Sequence, residues 1–156
     1  MILNISKVVT TFFGIGYFPI ASGTVGSLAA VFLWYIILSF FSYKVFIFYF
    51  IIIVFLGFIC TNIYLKSSES KDPSEVIIDE VIGQSIPLLF ISLDTNIVLI
   101  ILTFFIFRFF DIFKIFPIDK SEDLPGEYGV IIDDIIAGIY TLFVIFCLIN
   151  INNYFN

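Results

Sequence analysis

The chain alternates long runs of apolar residues with short polar breaks. The clearest run covers residues 45–65, and as a helix that rises about 1.5 Å per residue it would cross roughly one bilayer. Similar runs recur along the chain, separated by turn-forming and polar residues of the kind that end helices. The pattern predicts five membrane helices, over residues 25–41, 45–65, 73–92, 97–115 and 129–149.

The N-terminal segment and the start of the third helix differ from the other runs. Residues 8–18 are too short and too interrupted by glycine to span, so we expect a short interfacial or re-entrant helix there. The third run follows the most polar stretch of the chain, residues 66–75. Asp72 suits the N-cap, Pro73 the first helical position and Glu75 the third, which predicts that this helix begins at Pro73.

Composition indicates a membrane protein. Of the 156 residues, 61% are hydrophobic and 22 are phenylalanine, and the mean hydropathy is +1.16. No soluble domain of this size has enough interior for that much apolar surface. We therefore expect an all-α integral membrane helical bundle that forms one domain over residues 1–156. The net charge of −6, without any basic tract, argues against nucleic acid as a partner. The sequence gives no indication of an oligomeric state.

Basic residues are unevenly divided between the two sides of this predicted bundle. If all five helices span, one side carries only Lys44. The other side carries Lys7, Lys66, Lys71, Lys114 and Lys120, with Arg108 just inside the membrane. Since short loops rich in lysine and arginine stay in the cytoplasm, the second side is predicted to be cytoplasmic. The N-terminus is then inside and the C-terminus outside.

Two nearly identical stretches place adjacent acids inside apolar runs, VIIDEVIGQ at 76–84 and VIIDDIIAG at 130–138. An ionised carboxylate in hydrocarbon costs on the order of several kcal/mol unless it is paired or bound to a metal. In the predicted topology both acid pairs lie at a similar depth on the cytoplasmic side, and Asp111 joins them from the fourth helix. In each stretch a glycine follows an acid by four residues, which lets a neighbouring helix or a ligand approach closely.

Simpler roles are open for some of these groups. Arg108, Asp111 and Lys114 are three residues apart on one helix face, so they could form a salt-bridged ladder that neutralises itself. Asp133 could do no more than stabilise the N-terminus of its helix, where a negative charge is favourable. The small residues 22–27 could serve only helix packing.

The chain contains no histidine, which excludes histidine nucleophiles, histidine bases and the usual zinc sites. Clustered carboxylates instead suit Mg²⁺, and the predicted ligands are Asp79, Glu80, Asp133 and Asp134. Cations and helix N-terminal N–H groups nearby suit a phosphate, and the predicted binding residues are Lys71, Arg108, Lys114, Ser22, Gly23 and Thr24. Mg²⁺ between carboxylates and a phosphate is typical of phosphoryl chemistry. The predicted catalytic residues are Asp79, Asp111, Asp134, Arg108 and Lys114.

Each predicted catalytic residue has a chemical role in this scheme. Asp111 completes the metal shell or orients the attacking water, and Arg108 and Lys114 offset charge on the transferring phosphoryl oxygens. An aspartate that attacks phosphorus to give an acyl phosphate is the alternative, and the sequence leaves both mechanisms open.

Four ordered segments resemble the motif set of the phosphatidylglycerophosphatase A family. They are PIASGTVGSLAA, KDPSEVIIDEVIGQ, FRFFDIFKIFPI and GVIIDDIIAG, and the resemblance covers about residues 12–140. It implies a magnesium-dependent phosphatase of the bacterial cytoplasmic membrane that converts phosphatidylglycerophosphate to phosphatidylglycerol in phospholipid biosynthesis. The family's Lys-Pro-Phe/Trp-Pro pattern is Lys-Ile-Phe-Pro here, at residues 114–117. The family's glycine-rich loop is reduced to residues 126–129.

A small membrane carrier of cations or protons is the alternative function, because carboxylate clusters within helices also mark ion paths. An ion path requires polar residues through the whole depth of the membrane, whereas the outer halves of these helices, such as IVLIILTFF, are apolar. A carrier also has no need of cations and helix N-termini arranged for a phosphate. The lipid phosphatase is therefore the favoured hypothesis.

Overall fold

The apolar runs of the sequence fold into helices in a computed structural model that describes the backbone of residues 1–155 and the side chains of residues 1–150. Within that backbone there are seven α-helices and no strand, which confirms the predicted all-α class. In chain order they are α1 (Ile2–Thr10), α2 (Ser22–Phe40), α3 (Tyr43–Leu65), α4 (Ile78–Leu88), α5 (Ile97–Phe113), α6 (Ile118–Ser121) and α7 (Glu127–Phe155), with a short 3₁₀ helix at Ile15–Tyr17.

Three of these helices are long and apolar enough to cross a membrane. They are α2, α3 and the part of α7 from Glu127 to Asn150. Large apolar side chains point outward from the bundle, and Phe48, Phe55 and Phe143 are each at least 65% exposed. An apolar exterior of this kind is suited to lipid. The chain is therefore a membrane protein, with three membrane spans identified by length and composition.

The short helix α4 lies at the centre of the bundle. All of its residues except Glu80 are buried. It packs mainly against α7 and α2, and also against α3 and α5. Val81 and Ile82 belong to a core cluster that includes Ile131 of α7 and Ile53 of α3. Because lipid tails are as apolar as these side chains, close packing rather than the hydrophobic effect must hold α4 in place.

Two glycines allow α4 and α7 to cross at very short range. A Cβ added to Gly138 would lie 2.3 Å from the Gly83 carbonyl oxygen, and one added to Gly83 would lie 2.5 Å from the Asp134 carbonyl oxygen. Real Cβ atoms essentially never come within 3.0 Å of such an atom. The prediction that these glycines permit close approach is therefore confirmed, and the crossing brings the two acid-bearing stretches side by side.

The start of α4 corrects one prediction. The helix begins at Ile78, later than the predicted start, so the predicted N-cap signature is wrong. The N–H of Ile77 donates to the carbonyl of Thr10 at 2.9 Å, and the hydroxyl of Tyr64 donates to the Glu75 carboxylate at 2.7 Å. These contacts with α1 and α3 hold the segment before α4 out of a helical conformation, and they outweigh the local preference.

The N-terminal helix is present, but its predicted bounds of 8–18 are wrong, because α1 ends at Thr10. Phe12, Phe13 and Gly14 follow with φ angles of 44°, 58° and 88°. Consecutive left-handed residues cannot continue a right-handed helix. The N–H of Gly14 donates to the hydroxyl of Thr11 at 3.1 Å, which stabilises the turn that replaces the helix.

Candidate active site

Three carboxylates meet where α4 and α7 cross. Asp79 and Glu80 come from α4 and Asp134 from α7, and ligand oxygens of all three lie within 4.8 Å of one another. Asp79 is 7% exposed and Asp134 is 3% exposed. Each acid belongs to one of the two repeated stretches, so the repeat in the sequence becomes a cluster in space. Buried carboxylates this close together require a cation or a proton between them.

The acids of α4 lie nearer the start of their helix than the predicted start at Pro73 implied. Because α4 begins at Ile78, Asp79 and Glu80 lie in its first turn, where the helix dipole favours negative charge. Asp134 instead lies well inside α7, which begins at Glu127. Its carboxylate therefore receives little help from a helix N-terminus and depends more on neighbouring groups.

Asp133, the fourth predicted metal ligand, points to a different partner. Its Oδ2 accepts a hydrogen bond from Nζ of Lys114 at 2.8 Å, and its Oδ1 accepts from the N–H of Asp134 at 3.0 Å. The second of these bonds recurs in the other stretch, where Oδ1 of Asp79 accepts from the N–H of Glu80 at 3.1 Å. The structure thus groups Asp79, Glu80 and Asp134, and it holds Asp133 beside them against Lys114.

Arg108 of α5 is the cation closest to the three acids. Its Nη1 lies 2.5 Å from Oδ2 of Asp111 and 3.9 Å from Oε1 of Glu80, and it donates to Oγ of Ser27 at 3.3 Å. The side chains of Arg108, Asp111 and Glu80 are all less than 20% exposed. Of the two ion pairs that the alternative salt-bridged ladder requires, only Arg108–Asp111 forms. Lys114 pairs with Glu122 and Asp133 instead of Asp111.

Lys114 follows the last residue of α5 and turns toward α7. Its backbone is left-handed, with φ 44° and ψ 54°. Its ammonium contacts the carboxylates of Glu122 and Asp133. Burial alone would lower the pKa of this ammonium, but the hydrogen bonds to Asp133 and Glu122 outweigh burial and raise the pKa above its ordinary value. Lys114 therefore stays protonated and positively charged at the edge of the acid cluster.

The start of α2, predicted to bind phosphate, lies against the acids. A Cβ on Gly23 would be 1.8 Å from Oε1 of Glu80 and 3.3 Å from Nη1 of Arg108. A larger residue at this position would therefore push the Glu80 carboxylate away from its place beside Arg108. The hydroxyl of Ser22 donates to the Ser74 carbonyl at 2.7 Å and so ties α2 to the segment before α4. Thr24 is half-buried one residue further along α2.

A cavity of about 810 Å³, lined mostly by polar and charged residues and called the polar cavity below, opens beside the site. It lies between the loop that follows α3 and the loop that precedes α7, and Asp133 forms part of its wall. Lys71, predicted to bind phosphate, is exposed and lines this cavity rather than the three-acid cluster. Asp133 is thus the residue at which this cavity reaches the acid-bearing part of α7.

Two contact residues were not predicted from the sequence. Ser27 follows Gly23 by four residues, on the same face of α2, and this spacing was a usable signal. Glu122 lies in the stretch SEDLPGEY, which contains three acids without any periodicity to distinguish them. Nothing in the sequence singles out Glu122 as the partner of Lys114.

Known proteins similar to this chain are lipid phosphatases by name. The chain matches the family described as Phosphatidylglycerophosphatase A over residues 8–149. It is 35% identical to a phosphatidylglycerophosphatase A of Haemophilus influenzae, over 94% of this chain and 90% of the relative. It is 37% identical to a phosphatidylglycerophosphatase A of Escherichia coli, over 81% of this chain and 73% of the relative.

A third relative carries a different name. A protein of Bacteroides thetaiotaomicron, named as a candidate phosphatidylinositol-3-phosphatase, is 34% identical over 86% of this chain and 87% of its own length. No solved structure matches the chain.

Proposed function

The chain belongs to the phosphatidylglycerophosphatase A family, and from that premise we propose that it hydrolyses phosphatidylglycerophosphate to phosphatidylglycerol and phosphate, in a Mg²⁺-dependent step of phospholipid synthesis. The observation that carries the proposal is the meeting of Asp79, Glu80 and Asp134 with Arg108 beside them. A cation or proton carrier is not favoured, because the family and its named members are lipid phosphatases.

The acids fit a hard divalent cation. Mg²⁺ binds oxygen ligands at about 2.0–2.1 Å in octahedral geometry, so neighbouring ligand oxygens lie about 3 Å apart. The carboxylate oxygens of Asp79, Glu80 and Asp134 lie within 4.8 Å of one another, so small side-chain rotations would bring them to that spacing. Oε2 of Glu80 is buried and accepts no hydrogen bond from the described residues. We propose these three as the ligands, with Asp133 as a fourth.

When bound, Mg²⁺ would polarise the phosphoryl group and make a bound water more acidic. Side chains of the protein would stabilise the charge on the phosphoryl group and orient the attacking water. Arg108 has one guanidinium nitrogen on Asp111, and its buried Nε has no partner among the described residues. Its remaining N–H donors are available to equatorial phosphoryl oxygens, where charge develops in the transition state. Asp111 is proposed to orient the attacking water.

The start of α2 is proposed to bind the same phosphate. The first N–H groups of a helix have no partner within the helix, and those of Ser22, Gly23 and Thr24 begin α2 beside Glu80 and Arg108. Backbone N–H groups there would act with Arg108 and Lys114 to neutralise the phosphate. Lys71, in the adjoining cavity, is proposed to attract the headgroup into the site.

We propose five membrane crossings, with α4 and α5 as the additional pair. The hydroxyl of Tyr43, at the start of α3, donates to the carbonyl of Leu89, just past the end of α4. Leu89 therefore lies at the end of the bundle opposite the acids. Although α4 is short, the chain between α3 and α5 would then run from one membrane face to the other. Helix α5 would cross back. With the lysine-rich loops in the cytoplasm, the site faces the cytoplasm of a bacterial inner membrane.

Phosphate release from purified protein in detergent tests this proposal. Phosphatidylglycerophosphate, phosphatidylinositol 3-phosphate and phosphatidic acid should be compared with and without Mg²⁺. We expect phosphatidylglycerophosphate to be hydrolysed fastest, and only with the metal. Preference for the inositol lipid would reassign the substrate toward the activity in the name of the Bacteroides relative. Absence of phosphate release from all three lipids would refute the lipid phosphatase proposal.

A further inference from the structure

Glu122 is an acid outside the three-carboxylate cluster that still contacts the proposed machinery. It follows α6 directly, its side chain is 46% exposed, and it lines the polar cavity. Its Oε1 contacts Nζ of Lys114. The adjacent Asp123 lines the same cavity, yet its side chain makes no ion pair or hydrogen bond with the described residues. The contact with Lys114 therefore distinguishes Glu122 from its neighbour.

The number of donors on Lys114 limits what its ammonium can do. An ammonium has three N–H donors. One meets Glu122, and one meets Oδ2 of Asp133 at 2.8 Å. The third is left for another acceptor. Two carboxylates on separate elements fix the direction of a group that otherwise rotates freely at the end of a flexible side chain.

The left-handed backbone of Lys114 also indicates that contacts with neighbouring residues hold this residue in place. A left-handed conformation is unfavourable for a residue that carries a Cβ. Glycine would avoid this cost, yet the chain has lysine there with φ 44°. Such strain persists where surrounding contacts over-determine the conformation, and it is common at functional sites. Here the turn from α5 into α6 brings Glu122 back to the Lys114 ammonium.

We propose that Glu122 is a positioning residue for the phosphatase reaction. Together with Asp133 it holds the Lys114 ammonium so that the third N–H meets the substrate phosphate. Glu122 does not itself touch the phosphate, because two anions would repel each other. This inference rests on the proposed function, in which Lys114 offsets charge on the transferring phosphoryl group.

Kinetics of Glu122→Gln, with Asp123→Asn as the matched control, test the inference. Loss of a charged hydrogen bond to Lys114 should lower kcat for phosphatidylglycerophosphate by about tenfold, with a smaller change in KM, because the interaction matters most in the transition state. Glu122→Asp should recover part of the loss, and Asp123→Asn should match wild type. In a Lys114→Ala background, Glu122→Gln should have no further effect.

Two kinetic results would overturn the inference. One is a Glu122→Gln variant that behaves like Asp123→Asn. The other is a Glu122→Gln variant with a lower KM and undiminished kcat, since Glu122 would then only compete with the substrate for Lys114.

A second measurement does not depend on activity. Acetylation of Lys114 by acetic anhydride, followed by mass spectrometry, should be severalfold faster in Glu122→Gln than in wild type, because the amine is less shielded. Acetylation of the exposed Lys120 serves as the internal reference. If wild type releases no phosphate, the proposed function fails, while the acetylation ratio still decides whether Glu122 holds Lys114. Equal Lys114 acetylation in the two proteins would overturn the inference.

Discussion

Replacing Gly83 by alanine should disable the site without removing a single polar atom. The added Cβ would lie 2.5 Å from the Asp134 carbonyl oxygen and 2.7 Å from Cε2 of Phe107. The first of these is a backbone atom of α7, which cannot rotate away. To reach ordinary contact at 3.4 Å or more, α4 and α7 must separate by about 0.9 Å. Asp79 and Glu80 would then move away from Asp134.

The size of the effect follows from this displacement. Overpacking a tight contact costs about 1–3 kcal/mol, and the better helix propensity of alanine returns about 0.8–1 kcal/mol. We therefore expect a stability loss of no more than about 2 kcal/mol. Catalysis is more sensitive, because misplacing reacting groups by about 1 Å costs on the order of 100-fold in rate. Activity should thus fall much further than stability.

The matched control is Gly57→Ala in α3. Its Cβ would lie 2.7 Å from Cδ1 of Ile82, the far end of a flexible side chain that can move aside. Phosphate release and thermal unfolding should be measured for both variants in the same detergent. Gly83→Ala with wild-type turnover would refute the proposal that the crossing sets the site. An equal loss in Gly57→Ala would show that any helix glycine is as sensitive.

Four further predictions concern the cations, the topology and the metal. Arg108→Ala should lower kcat by about 100-fold or more in a protein that remains folded, and near-normal turnover would exclude Arg108 from charge stabilisation. Removing Asp111 and Lys114 together should leave phosphate release no higher than the worse single variant, whereas recovered activity would favour a self-neutralising ladder. In a cysteine-free background, an impermeant maleimide added to intact cells should label cysteine at Ser42 but not at Ser70, and labelling of both would contradict five crossings. EDTA should abolish phosphate release and Mg²⁺ should restore it, so activity that survives chelation would exclude a metal requirement.

The periodicity and composition of the sequence were enough to predict most of the long helices and one close helix crossing. The apolar runs predicted the boundaries of α2, α3 and α5 to within three residues and those of α7 to within six, because lipid-facing helices must be apolar over their whole length. The repeated acid-to-glycine spacing predicted the close approach at Gly83 and Gly138, since only a residue without a Cβ permits it. These features depend on residues near one another in the sequence.

Features that depend on distant residues were not accessible in the same way. The start of α4 is set by a hydrogen bond between Ile77 and Thr10, which lie far apart in the sequence. Local capping preference pointed to a start at Pro73 instead. The role of Glu122 depends on where α6 returns the chain, and no helical or strand period connects it with Lys114. Long-range contacts therefore decided these positions.

Hydrolysis at the meeting point of Asp79, Glu80 and Asp134 can be examined by a Mg²⁺ titration of phosphate release from phosphatidylglycerophosphate. Wild type should be compared with Asp134→Asn, and with Asp94→Asn as the matched control at an exposed turn. Loss of a hard anionic ligand should lower the Asp134→Asn rate by about 100-fold or more and shift its Mg²⁺ dependence to higher concentration, while Asp94→Asn follows the wild-type curve. An Asp134→Asn protein with wild-type rates at limiting Mg²⁺ would contradict catalysis by this cluster.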